Sequence, residues 1–88
     1  MTTREVVVRC EQGLHLRLAS KVARVVRDHQ AVVHLSCEGC TKANGCSLLE
    51  LISLGASEGT HLNMEATGPD EANVLAALAN VFEQGAGI

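Results

Sequence analysis

The stretch Gly13-Leu14-His15-Leu16-Arg17-Leu18-Ala19-Ser20 holds the residues best suited to chemistry: a strand-like run ends at a glycine, and an imidazole stands where a helical pattern begins. That placement suits a phosphoryl group carried on His15. The first turn of a helix has backbone N–H groups without internal partners, and its dipole sets about half a positive charge there, so an anion at His15 meets both. Imidazole, with an unperturbed pKa of about 6.5, keeps a neutral nucleophilic nitrogen near physiological pH. Arg17 follows closely, and its planar guanidinium can contact phosphate oxygens in pairs. Gly13 reaches dihedrals closed to other residues, which lets the loop turn sharply and leaves the ring uncovered. An ordinary cap or a solvated side chain is the competing reading of a histidine at this junction.

The cysteines form a second constellation. Cys37-Glu38-Gly39-Cys40 is a CxxC, with Cys46 beyond it and Cys10 near the His15 loop. Four thiolates can make a tetrahedral zinc site, but the usual spacing has two paired knuckles and only one pair exists, so no metal is assigned. Strand alternation points Cys37 inward, where a reduced cysteine acts as a small hydrophobe, and a reducing cytosol disfavours a standing disulfide. His29, His34 and His61 are expected to be solvated, and nothing groups them as ligands.

The elements that position these residues follow from periodicity. Thr3 to Arg9 contains Val6, Val7 and Val8 and predicts a strand that leads into the Cys10 to His15 loop. Leu18, Ala19, Val22, Ala23, Val25 and Val26 lay one apolar stripe along a helix that starts at Leu16 and ends near Asp28 or His29. Ala31 to Cys37 alternates as a half-buried strand, and Glu38-Gly39 suits a tight turn into a return strand over Cys40 to Ala43. Ser47 and Glu50 match a capping box for a short helix that ends near Gly55. His61 to Ala66 is a strand with Leu62, Met64 and Ala66 on one face. Gly68-Pro69-Asp70-Glu71 starts the last helix, with proline near its first position, an inner stripe of Val74, Leu75, Leu78, Val81 and Phe82, and Gly85 at its close. The order βαββαβα, with single-faced alternation, predicts an α+β open-faced sandwich: a four-stranded antiparallel sheet with three helices on one face.

The 88 residues make one domain, 1–88, and 47% hydrophobic content argues for a folded chain. The only aromatic is Phe82, so the core is aliphatic. No apolar run reaches the roughly 20 residues needed to span a bilayer, and Met1-Thr2-Thr3-Arg4-Glu5 lacks a secretory pattern, so a cytoplasmic protein without membrane insertion is expected. A net charge of −3 disfavours nucleic acid. Yet four of the seven cations, Arg17, Lys21, Arg24 and Arg27, cluster just after His15, while Glu58, Glu65, Asp70, Glu71 and Glu83 make the C-terminal half acidic. The basic cluster suits docking of an acidic protein surface, a solvated helix face being the alternative.

With these features together the chain resembles the HPr family, the histidine-containing phosphocarriers of the phosphoenolpyruvate-dependent phosphotransferase system. The resemblance covers essentially the whole chain. It rests on Gly13-Leu14-His15-Leu16-Arg17, on Ser47-Leu48-Leu49-Glu50-Leu51-Ile52-Ser53-Leu54-Gly55 and on Ala66-Thr67-Gly68-Pro69-Asp70-Glu71. It implies a carrier that takes a phosphoryl group on Nδ1 of His15 from phosphorylated enzyme I and passes it to an enzyme II component of IIA type. It implies further that Arg17 and the N–H groups of Leu16 and Arg17 stabilise the group, and that Lys21, Arg24, Arg27, Leu48 and Leu51 meet partners. No cofactor is implied. Ser47 matches a position that an HPr kinase phosphorylates in some branches, although Glu50 stands where such sequences often have glycine, and a plain capping serine accounts for it as well. Leu16 and Leu18 depart from the family's usual alanine and proline; Leu18 restores a backbone N–H and Leu16 adds bulk beside the ring. A regulatory docking module acting on a transcription factor or enzyme, and a thiol or metal protein on the same scaffold, are the alternatives. The residues do not choose between sugar uptake and the nitrogen-related branch.

Overall fold

Period-two alternation builds the sheet. The computed structural model describes residues 1–9, 13–37 and 42–84. Four strands, β1 (Thr2–Val7), β2 (Val32–Ser36), β3 (Ala43–Asn44) and β4 (His61–Thr67), pair antiparallel in the order β1-β4-β2-β3. Register sets Val33 opposite Ala66 and Leu35 opposite Met64, so one face is apolar. Leu62, Met64, Ala66, Val33 and Leu35 are fully buried, while Val32, Asn63 and Thr67 are exposed on the opposite side.

Three helices, α1 (Leu16–Arg27), α2 (Leu48–Ser53) and α3 (Glu71–Glu83), cover the apolar face. Leu18, Val22 and Val26 of α1, Leu51 of α2, and Val74, Leu75, Leu78 and Phe82 of α3 close one continuous core. Each such side chain contributes about 1.5–3 kcal/mol on leaving water. The predicted stripes need small adjustments. Val25 and Val81 sit half-buried at the margin, and Ala79 takes a core place on α3. The expected open-faced α+β sandwich is the fold observed.

Several boundaries differ from the sequence reading: β1 covers Thr2–Val7 instead of Thr3 to Arg9, β2 covers Val32–Ser36 instead of Ala31 to Cys37, and β4 runs one residue further, to Thr67. β3 begins at Ala43, and the Cys10 to Gln12 part of the first loop, the turn at Glu38-Gly39, Cys40 and Gly85 lie outside the described residues. Pro69 stands two residues before α3, which opens at Glu71 with Asp70 at the N-cap position, and Asp70 makes no side-chain cap. The Asp70 carboxylate accepts from the Gln30 amide at 2.8 Å and ties the start of α3 to the turn after α1. Gly68 (φ +141°) permits that approach, since a Cβ there would stand 2.6 Å from the Gln30 carbonyl oxygen.

Cys37 packs half-buried against the core, as its parity suggests, but it is disulfide-bonded, where a reduced thiol is expected. Proximity within the fold, which the compartment argument does not address, decides whether sulfurs meet. Cys46 is a free, exposed thiol.

Candidate phosphoryl-acceptor site

The loop bearing His15 is held by backbone contacts before its side chain is considered. Gly13 has φ +71°, and a Cβ there would stand 2.5 Å from the Ala56 carbonyl oxygen and 2.9 Å from Ser57 Cα. Only glycine permits both the dihedral and the approach. The Leu14 amide then donates to the Ala56 carbonyl at 2.9 Å, and the Leu14 side chain is buried. Next door, Val8 and the Gly59-Thr60 turn exchange backbone bonds, Val8 N–H to the Thr60 carbonyl at 3.0 Å and Gly59 N–H to the Val8 carbonyl at 2.8 Å. The segment between α2 and β4 is therefore the platform on which the His15 loop sits.

His15 is the N-cap of α1, with extended dihedrals, and its carbonyl accepts from the Ala19 amide at 2.9 Å. Its ring does what a serine or aspartate does at other helix starts: Nδ1 accepts from the Arg17 amide at 3.2 Å. An acceptor Nδ1 carries no proton, so the neutral ring holds its hydrogen on Nε2. The lone pair of Nδ1 is thus aimed into the positive end of the helix, where a bound anion is favoured.

Arg17 is exposed, on the same turn as the ring. Lys21, Arg24 and Arg27 continue along the exposed side of α1, and Arg24 and Arg27 occupy its last turn. A groove of about 400 Å³ between α1 and α2 is lined by Ser20, Ala23, Arg24, Arg27, Asp28 and Leu48. Leu48 is half-buried against this groove, but Leu51 is fully buried and leaves no surface for a partner. Helix α2 has a single buried position, and Leu51 fills it. The aliphatic surface of α2 comes instead from Leu49, 79% exposed, and Ile52, 38% exposed, which the sequence reading did not select.

At the start of α2 the Ser47 hydroxyl accepts from the Glu50 amide at 3.3 Å, one half of the expected capping box. The other half is redirected. The Glu50 carboxylate accepts from the Asn44 amide of β3 at 3.1 Å, and the Ser47 amide donates to the Asn44 carbonyl at 3.0 Å. The remaining histidines lie elsewhere. His29 bonds the Val25 carbonyl at 2.7 Å near the end of α1, His34 is half-buried on the sheet, and exposed His61 faces Glu5 at 3.4 Å.

A one-sided antiparallel sandwich with an imidazole at the start of its first helix is the form of a small phosphocarrier of the HPr type. Residues 2–84 match the family model described as the PTS HPr component phosphorylation site. Phosphocarrier protein NPr of Escherichia coli (strain K12) is 33% identical over 86 residues, covering 97% of this chain and 96% of that protein. Phosphocarrier protein HPr of Xylella fastidiosa (strain 9a5c) is 31% identical over 83 residues, covering 94% and 92%. Among solved structures, HPr-C-His from Thermoanaerobacter tengcongensis superposes with a TM-score of 0.93 at 25% identity, covering 100% of this chain and 98% of that one. The chain belongs to the HPr family, the phosphocarriers of the phosphotransferase system. Among the described residues, no helix is long and apolar enough to cross a membrane.

Proposed function

We propose that this protein receives a phosphoryl group on Nδ1 of His15 from phosphorylated enzyme I and delivers it to an enzyme II component of IIA type. The observation that carries this reading is the hydrogen bond from the Arg17 amide to Nδ1, which leaves that nitrogen unprotonated. In the transfer, the Nδ1 lone pair attacks phosphorus in line, the donor's N–P bond breaks, and its electron pair returns to the donor nitrogen. The Nε2 proton stays in place. The Arg17 amide loses its acceptor as the N–P bond forms, and a phosphoryl oxygen takes it over, with the Leu16 amide and the Arg17 guanidinium as further donors. One N–P bond replaces another, and a modest hold suits a group that must be handed on.

Arg24, Arg27 and Leu48, which line the groove between α1 and α2, form the docking face in this reading together with exposed Lys21. Their charge favours an acidic partner. The test combines the protein with enzyme I and labelled phosphoenolpyruvate. Acid-labile, base-stable label that His15→Ala abolishes supports the proposal. A native protein left unlabelled while another HPr is charged overturns it in favour of a regulatory docking module.

A further inference from the structure

The chain places leucine at positions 14, 16 and 18 around the acceptor. Leu14 is 5% exposed and Leu18 fully buried, so packing explains both. Leu16 is 60% exposed and has no part in the hydrophobic core, so the fold gives it no such reason. Its position makes it unavoidable. Consecutive Cα atoms lie about 3.8 Å apart, and transfer needs phosphorus within about 3–3.5 Å of Nδ1. A protein that brings a phosphoryl group to His15 therefore comes within reach of the exposed Leu16 side chain.

We propose that Leu16 is the residue by which this carrier selects its phosphoryl donor, seating in an apolar recess of the donor surface beside the phosphohistidine. The inference rests on the transfer reading above. From Leu16 onward along α1 the exposed cations Arg17, Lys21, Arg24 and Arg27 make no salt bridge to any described residue, Arg24 and Arg27 lying at the far end of the helix, and the aliphatic surfaces of Leu49 and Ile52 lie on the neighbouring helix. The donor face matching this pattern is apolar at its centre and carboxylate-rich at its rim. A donor with a charged or tightly closed surface opposite position 16 must desolvate that group or clash with the isobutyl side chain.

The test measures initial rates of label transfer from the enzyme I of the same organism, and from an enzyme I whose own carrier has alanine at the matching position. The proteins are the native chain, Leu16→Ala, Leu16→Met and Leu16→Glu, each with its melting temperature recorded. Leu16→Ala is expected to raise KM for the first donor about tenfold at unchanged kcat, since it removes contact made equally in ground and transition states. Leu16→Met, of similar volume, stays within about twofold of native, whereas Leu16→Glu is worse than alanine. With the second donor Leu16→Ala outperforms the native chain. A KM for the first donor that alanine leaves unchanged or lowers overturns the proposal and makes Leu16 neutral or obstructive. Absence of label on the native chain with both donors overturns the transfer reading itself, an outcome distinct from equal labelling.

Discussion

The Arg17 amide donates to Nδ1 of His15 at 3.2 Å, so the residue that begins the basic face also fixes which ring nitrogen is bare. The expected neutral tautomer has hydrogen on Nε2. Two-bond proton–nitrogen correlation spectra of the unphosphorylated protein above pH 8 will show Nδ1 with the shift of an unprotonated nitrogen. After phosphorylation the Arg17 amide proton will move as its acceptor changes from nitrogen to a phosphoryl oxygen.

Replacing Gly13 tests the platform beneath the ring. A Cβ at 2.5 Å from the Ala56 carbonyl oxygen cannot be absorbed by a rotamer change, and φ +71° adds strain. Gly13→Ala is expected to cost about 2–4 kcal/mol in urea unfolding and to slow phosphorylation of whatever remains folded. A stability within about 0.5 kcal/mol of native would contradict the described contact.

Leu49 and Leu51 separate docking from packing. Leu51→Ala empties a fully buried position and is expected to cost about 2–5 kcal/mol. Leu49→Ala, at a site 79% exposed, is expected to change stability by less than about 0.5 kcal/mol while raising the KM for the donor protein. Urea titration and transfer kinetics on the same preparations distinguish the two effects.

Acid sensitivity is expected at Glu71. The Thr2 hydroxyl, the Gly68 amide and the terminal ammonium of Met1 all favour its charged form and hold its carboxyl below the ordinary 4.5, with burial opposing. A depressed folded-state pKa gives stability that is present above the unfolded value and lost as pH falls through the folded one. The melting temperature of the native chain is therefore expected to fall below about pH 4.5, and Glu71→Gln to fall less steeply there. Parallel curves for the two proteins would remove Glu71 from the account.

Ser47 and Glu50 predict how a negative charge at the start of α2 would act. Ser47→Asp keeps a good capping residue, so its stability is expected within about 1 kcal/mol of native, although the added charge lies close to the Glu50 carboxylate. Donor docking on the neighbouring face is expected to weaken, because the new charge opposes acidic partners. An HPr kinase with ATP is expected to label Glu50→Gly more readily than the native chain. Equal labelling would show that Glu50 does not protect Ser47.

Short-range patterns were legible without coordinates. The alternation of Leu62, Met64 and Ala66 reads directly as a one-sided strand, and Leu18, Val22 and Val26 define the inner side of α1. His15 at the helix start was legible for the same reason, since a glycine turn and an apolar stripe meet there. Leu51 was misjudged because a six-residue helix spans too few turns for its period to show which leucine faces inward. The Glu50 bond to Asn44, the Asp70 bond to Gln30 and the seat of Gly13 on Ala56 join segments that no local pattern connects. The Cys37 disulfide likewise depends on which sulfurs the fold brings together, which composition does not encode.

The Leu14 amide hangs on the Ala56 carbonyl, and only Leu54 and Gly55 separate Ala56 from the end of α2. Recognition and reactivity consequently share a mechanical joint. On the transfer reading, a partner that tilts α2 on gripping it is expected to re-aim the imidazole as well, so that an ill-fitting protein that binds well would leave the nitrogen turned away from its phosphorus.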